Sequence, residues 1–205
     1  MPDLVLALDT TTDVTVGVAR GHEVLVSDRV TDRMAHVEQL VPLVHRCLAA
    51  AGASLADVGH VVVGLGPGPF TGLRVGIVTA AALGDARDLP VYGVCSLDAV
   101  GSGARTVVTD ARRKEVHWAV YGAAGERLAG PGVDRPEDAP VVEPVLGDVR
   151  FAERLGRDVT AAEVSTAGLL RAAAPLFGRP PAPLEPLYLR RPDAVPSVTR
   201  KTVSQ

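Results

Sequence analysis

Aromatic side chains are scarce: three Phe, three Tyr and one Trp make up 3% of 205 residues. A core must therefore be closed with Val, Leu and Ala, which favours close-packed helices on a Val-rich sheet. Cysteine is rarer still. Cys47 and Cys95 stand apart, with no CxxC and no Cys/His cluster, which excludes a disulfide framework and a cysteine-based zinc site and leaves two buried free thiols as the expectation. No stretch approaches the ~20 apolar residues of a membrane span. The first apolar run follows Asp3, where a signal peptide needs positive charge, and stops at Asp9, so a soluble cytoplasmic chain without membrane attachment is expected. An excess of one charge is also missing. With a formal net charge of −3 there is no global electrostatic reason to hold a polyanion such as RNA, and any nucleic acid must be held mainly by another subunit.

What is present suffices for one generous domain or two small lobes without staples, since 47% of the chain is hydrophobic. Leu4 to Thr10, Val14 to Arg20 and Glu23 to Val30 read as a three-stranded meander joined at the turn Thr11, Thr12, Asp13 and at Gly21-His22. From His36 to Ala51 the residues Val37, Leu40, Val41, Val44, Leu48 and Ala51 recur at helical spacing, with Pro42 expected to kink the first turns. Gly59 to Leu65 is a continuous apolar run, as in a strand covered on both faces. After the loop GPGPFTG comes a helix, Leu73 to Arg87, on which Gly72, Gly76 and Ala80 form a flat stripe open to close approach. Val91 to Val94 closes a βββαβαβ lobe over residues 1 to 100.

The second lobe, 101 to 178, is read as a hairpin (Thr106 to Asp110, Val116 to Tyr121) with an edge strand at Glu126 to Ala129. A Pro-interrupted stretch from Pro131 to Pro144 and a helix from Ser165 to Phe177 follow. The tail, 179 to 205, carries Pro180, Pro181, Pro183 and Pro186, then Pro192 and Pro196, and should run extended over the surface.

The glycine loop invites a phosphate-loop reading, but the Walker spacing fails and no Lys follows. Pro67 and Pro69 also remove two amides that would cradle an anion. A rigid turn is expected, with Thr71 as helix cap and with Phe70 and Arg74 projecting as a binding ledge. No GxSxG elbow activates Ser96, Ser102, Cys47 or Cys95. The cluster Arg112, Arg113, Lys114 is tempered by Asp110 and Glu115 and reads as a solvated hairpin tip.

Three strings together, LALDTTT (Leu6 to Thr12), GLGPGPFTGLRVG (Gly64 to Gly76) and PLYLRRPDA (Pro186 to Ala194), resemble the TsaB/YeaZ family of the actin-like ATPase superfamily. DARRKEVHWAVY (Asp110 to Tyr121) is similar to that family's hairpin. The resemblance implies an α/β, actin-like (ribonuclease H-like) fold of two lobes, related to TsaD. It implies a non-catalytic subunit, a pseudoenzyme, that binds and activates TsaD together with TsaE, while TsaD itself transfers from threonylcarbamoyl-adenylate to N6 of the adenosine beside the anticodon. Contact with tRNA would be indirect, through that complex, and a homodimer is a further option. The family has Ser where this chain has Pro69, so no hydroxyl can act there.

TsaD carries two metal-binding histidines at the place matched by His36 and Leu40; with only one His left, no metal is expected. Asp9, Thr10 and Thr11 stand where actin-like kinases grip phosphate, but those kinases place glycine after the Asp, and Thr10 is expected to block the approach. A vestigial nucleotide site at these three residues is weighed against a turn that merely bonds to itself, and no cofactor is expected. Partner contacts are assigned to the two N-terminal helices, at His36, Val37, Leu40, Val41, Val44, Phe70, Leu73, Arg74, Gly76 and Ala80. An ATP-dependent phosphotransferase of the same fold and an M22-type metallopeptidase stand as the alternatives, the latter without an HExxH to support it.

Overall fold

The computed structural model describes residues 4–31 and 36–190, with only the backbone of His36 and Val37. Strands β1 (Leu4–Asp9), β2 (Val14–Arg20) and β3 (Glu23–Val30) form the expected meander. Helix α1 (His36–Ala50) carries the chain to β4 (Val58–Gly64), and α2 (Phe70–Arg87) carries it to β5 (Val91–Val94). The sheet order is β3-β2-β1-β4-β5, with β4 parallel to β1 and β5 parallel to β4. Side chains along a strand alternate between faces. In β1, Leu4, Leu6 and Leu8 therefore meet α1 and α2 on one side, while Val5 and Ala7 enter a second core on the other. Val61, Val62 and Val63 are all fully buried, as the continuous apolar run requires.

Beyond β5 the chain builds β6 (Arg105–Asp110), β7 (Val116–Tyr121) and β8 (Arg127–Asp134), then β9 (Val145–Gly147), a short α3 (Ala152–Leu155), β10 (Val159–Ala161) and α4 (Thr166–Ala173). The second sheet runs β8-β7-β6-β9-β10, with β9 parallel to β6 and β10 parallel to β9. This repeats the first sheet strand for strand. The duplication went unread because β9 and β10 have three residues each and the crossovers have shrunk to a 3-10 turn (Pro136–Asp138) and α3. The edge strand β8 also runs on through Pro131, beyond the span expected for it.

Helix α4 lies between the two sheets. Leu169, Leu170 and Ala173 share one core with Val5, Ala7 and Val62 of the first sheet and with Val107, Ala119 and Tyr121 of the second. A Cβ at Gly168 would stand 1.9 Å from the Ala99 carbonyl oxygen, so α4 touches backbone there and the lobes are joined by a packed base. Beside it, buried Arg105 donates to the carbonyls of Val100 (2.6 Å) and Gly103 (2.7 Å) and lies over the Tyr121 ring, fixing the connection between the sheets.

Candidate functional site

The turn after β1 is built around Asp9. Its Oδ1 accepts from the Thr11 amide (2.8 Å) and Thr11 hydroxyl (2.6 Å), and its Oδ2 accepts from the Ser96 hydroxyl at 2.5 Å. Ser96 Oγ accepts in turn from the Gly66 amide at 3.2 Å. The carboxylate is 1% exposed, and Gly64 makes room for it: a Cβ there would sit 1.7 Å from Asp9 Oδ2. A charge so buried is tolerable only with such donors. Both oxygens are thus engaged within the fold.

Thr10 is also engaged within the fold. Its hydroxyl does not stand in the cleft but points back into α2, donating to the Gly72 carbonyl (2.7 Å) and accepting from the Gly76 amide (3.1 Å). The small-residue stripe therefore accommodates this chain's own β1–β2 turn, and a Cβ at Gly76 would meet Thr10 Oγ1 at 2.4 Å. Thr71 is not the cap either. Pro69 occupies the N-cap in an extended conformation with no side-chain cap bond, and α2 begins at Phe70, which places Thr71 inside the first turn.

Between the lobes opens a cleft of about 800 Å³, lined by Thr11, Thr12 and Asp13, by Thr71 and Gly72 of α2, and by Thr109, Asp110 and Asp148 of the second lobe, among others. The two equivalent hairpin turns, β1–β2 and β6–β7, face each other across it. Its charges are largely paired: Arg29 joins Asp13 (3.6 Å) to Glu163, and Arg150 joins Asp110 (3.3 Å) to Asp148. At the β6–β7 tip Arg112, Arg113 and Lys114 all adopt positive φ, 63°, 54° and 64°. Among the described residues no three His, Cys, Asp or Glu side chains are grouped to hold a metal ion. No helix there is long and apolar enough to cross a membrane. Burial pushes the Cys95 thiol up to about 11 and raises that of Cys47, so neither offers a thiolate at neutral pH.

The residues assigned to a partner surface divide in two. Leu40, Val44, Leu73, Gly76 and Ala80 are buried in the first lobe's own core or against Thr10. An amphipathic stripe names the face that packs, and here it packs at home. Val41 (49% exposed) and Phe70 (53%) remain outward, with Arg74 lying 3.7 Å over the Phe70 ring. The His36 and Val37 side chains lie outside the described residues, as does Arg191 to Ala194 of the late string. Sequence reasoning missed Val78, which at 64% exposed lies four residues from Arg74 and eight from Phe70 on the outer side of α2. Ala82 on α2 and Val41, Pro42 and Ala49 on α1 are exposed as well, interspersed with His45, Arg46 and Arg74. The i, i+4 series Phe70, Arg74, Val78, Ala82 was the available signal.

His117 on β7 is a further buried polar group, and its Nδ1 has no hydrogen-bond partner among the described residues. Burial pushes its pKa down to about 4, opposed by the charge of Asp110. An unfolded imidazole titrates near 6.5, so between these values the unfolded chain binds the extra proton and stability falls as the pH is lowered. Urea unfolding is expected to lose ~3 kcal/mol by about pH 4 from this group alone. His117→Leu should flatten that acid limb, and an unaltered limb would contradict the assignment.

Two equivalent sheets flanking a cleft, with helices on the first and α4 between them, define an α/β protein of the actin-like ATPase fold. A family model described as TsaD, tRNA N6-adenosine threonylcarbamoyltransferase, matches residues 30–177. An uncharacterized protein of Mycobacterium tuberculosis is 50% identical over 94% of both chains. The tRNA threonylcarbamoyladenosine biosynthesis protein TsaB of Escherichia coli is 38% identical over 42% of this chain and 41% of its own length. Among solved structures, YeaZ from Pseudomonas aeruginosa superposes with a TM-score of 0.76 at 27% identity, covering 91% of this chain and 100% of that one. The chain belongs to the TsaD family, on its TsaB/YeaZ branch.

Proposed function

We propose that this chain is the non-catalytic subunit that binds and activates TsaD, together with TsaE, in forming threonylcarbamoyladenosine on tRNA. The observation that carries the proposal is the exposure of apolar residues on α1 (Val41, Pro42, Ala49) and α2 (Phe70, Val78, Ala82), interspersed with His45, Arg46 and Arg74. The names of the relatives and of the family model supply the pathway. A partner of TsaD's own fold would present equivalent helices to such a face. A phosphotransferase reading is disfavoured because Asp9 is buried and its carboxylate is held within the fold by Thr11 and Ser96. With a mixed and largely paired set of cleft charges, tRNA is engaged through the assembled complex.

The test is reconstitution. TsaD and TsaE from the same cell, supplied with threonylcarbamoyl-adenylate and unmodified tRNA, are expected to turn over at least tenfold faster when this chain is added. The chain alone should modify nothing. Equal turnover with and without it, or modification by the chain alone, overturns the reading. Self-association on the same face would appear as a dimer that TsaD dissolves.

A further inference from the structure

We infer that residues 184–190 form a latch that couples the first turn of α2 to the cleft-lining β6–β7 hairpin, so that loosening either end loosens the other. The segment is held at three levels. Leu184 packs on the first-lobe core and Leu187 on the inter-sheet core, and the Leu187 amide donates to the Leu65 carbonyl at 2.8 Å. Next, the Tyr188 ring stacks on Phe70 with centroids 5.1 Å apart, and its hydroxyl accepts from Arg74 Nε at 3.0 Å. Two residues on, Arg190 crosses to the second lobe, where it pairs with Glu115 and donates to the Arg112 carbonyl at 3.3 Å.

Tyr188 and Arg190 are two residues apart, so one short span reaches both lobes. The prolines at 180, 181, 183 and 186 stiffen the approach, which lowers the ordering entropy these contacts must offset. The hairpin end matters because its tip is three successive left-handed residues, a conformation side chains other than glycine adopt only when the surroundings hold them there. Arg190 grips that tip at both Glu115 and Arg112, and Asp110 and Arg112 line the cleft. Cleft wall and α2 ledge are thereby joined through a few side chains, independently of whether a partner uses the ledge.

Coupling of this kind must act in both directions, and amide hydrogen exchange on the whole chain reads both ends. The reporters are the Leu187 and Leu73 amides at the α2 end, the latter bonded to the Pro69 carbonyl at 3.0 Å, and the Ala111 and Glu115 amides in the hairpin. Tyr188→Ala is expected to speed exchange at Ala111 and Glu115 roughly threefold to tenfold, the scale of one aromatic stack and one partly exposed ion pair. Glu115→Gln, which lies outside residues 184–190, is expected to speed exchange at Leu187 comparably, and Tyr188→Phe should have a smaller effect because the stack survives. The β1 amides should not change in any variant. The latch is overturned if either substitution acts only at its own end, or if all amides, β1 included, speed up together.

Discussion

Gly64→Ala is expected to lower the unfolding free energy by ~3 kcal/mol or more, the sum of an overpacking cost of ~1–3 kcal/mol and of ~1–3 kcal/mol for depriving a buried polar group of its partner. The added methyl would stand 1.7 Å from Asp9 Oδ2 and 2.5 Å from Ser96 Oγ. Neither atom has room to retreat, because Asp9 is tied to Thr11 on one side and Ser96 to Gly66 on the other. For a chain of this length the loss should appear as a fall in Tm of about 10 °C. Ser96→Ala removes one donor without adding bulk and should cost less, ~1–2 kcal/mol. A Gly64→Ala protein that melts with the wild type would mean that Asp9 is free to move, and the case against a working phosphate turn would lose its main support.

The same residues show where the sequence is readable. The strands and helices of the first sheet could be drawn almost to their ends because the strands run four to eight residues and α1 shows one apolar stripe. The second lobe was half-legible, since three-residue strands flanked by Pro140, Pro144 and Asp158 carry too little period to recognise. For the site, Asp9 and Thr11 were legible as a self-bonded turn, but Ser96, 87 residues away, was not, because only tertiary folding places it there. On α2 the trouble is different: the buried Leu73, Ile77 and Ala80 and the exposed Phe70, Val78 and Ala82 are all apolar. Composition alone could not decide which row faces inward. The 2.4 Å approach of a Gly76 Cβ to Thr10 decides it.

That decision separates two kinds of variant. Gly76→Leu and Ala80→Trp should now act through the fold, costing ~1–3 kcal/mol or more in stability, with any loss of binding following from the loss of native protein. Val78→Asp should do the reverse. The side chain is 64% exposed and Val41 is 49% exposed, so a carboxylate at either position is fully hydrated in the free chain and should leave the melting curve within about 1 °C. Docked against an apolar helix pair, the same carboxylate would be stripped of water without a partner. A penalty of ~2.7 kcal/mol corresponds to a hundredfold weaker Kd, and central interface positions reach that size. The measurement is a calorimetric titration of TsaD from the same cell with wild-type chain and with Val78→Asp, alongside their melting curves. Binding weakened about a hundredfold at unchanged Tm is the predicted result. Wild-type affinity in a Val78→Asp chain of unchanged Tm would contradict the claim that the outer face of α1 and α2 receives the partner.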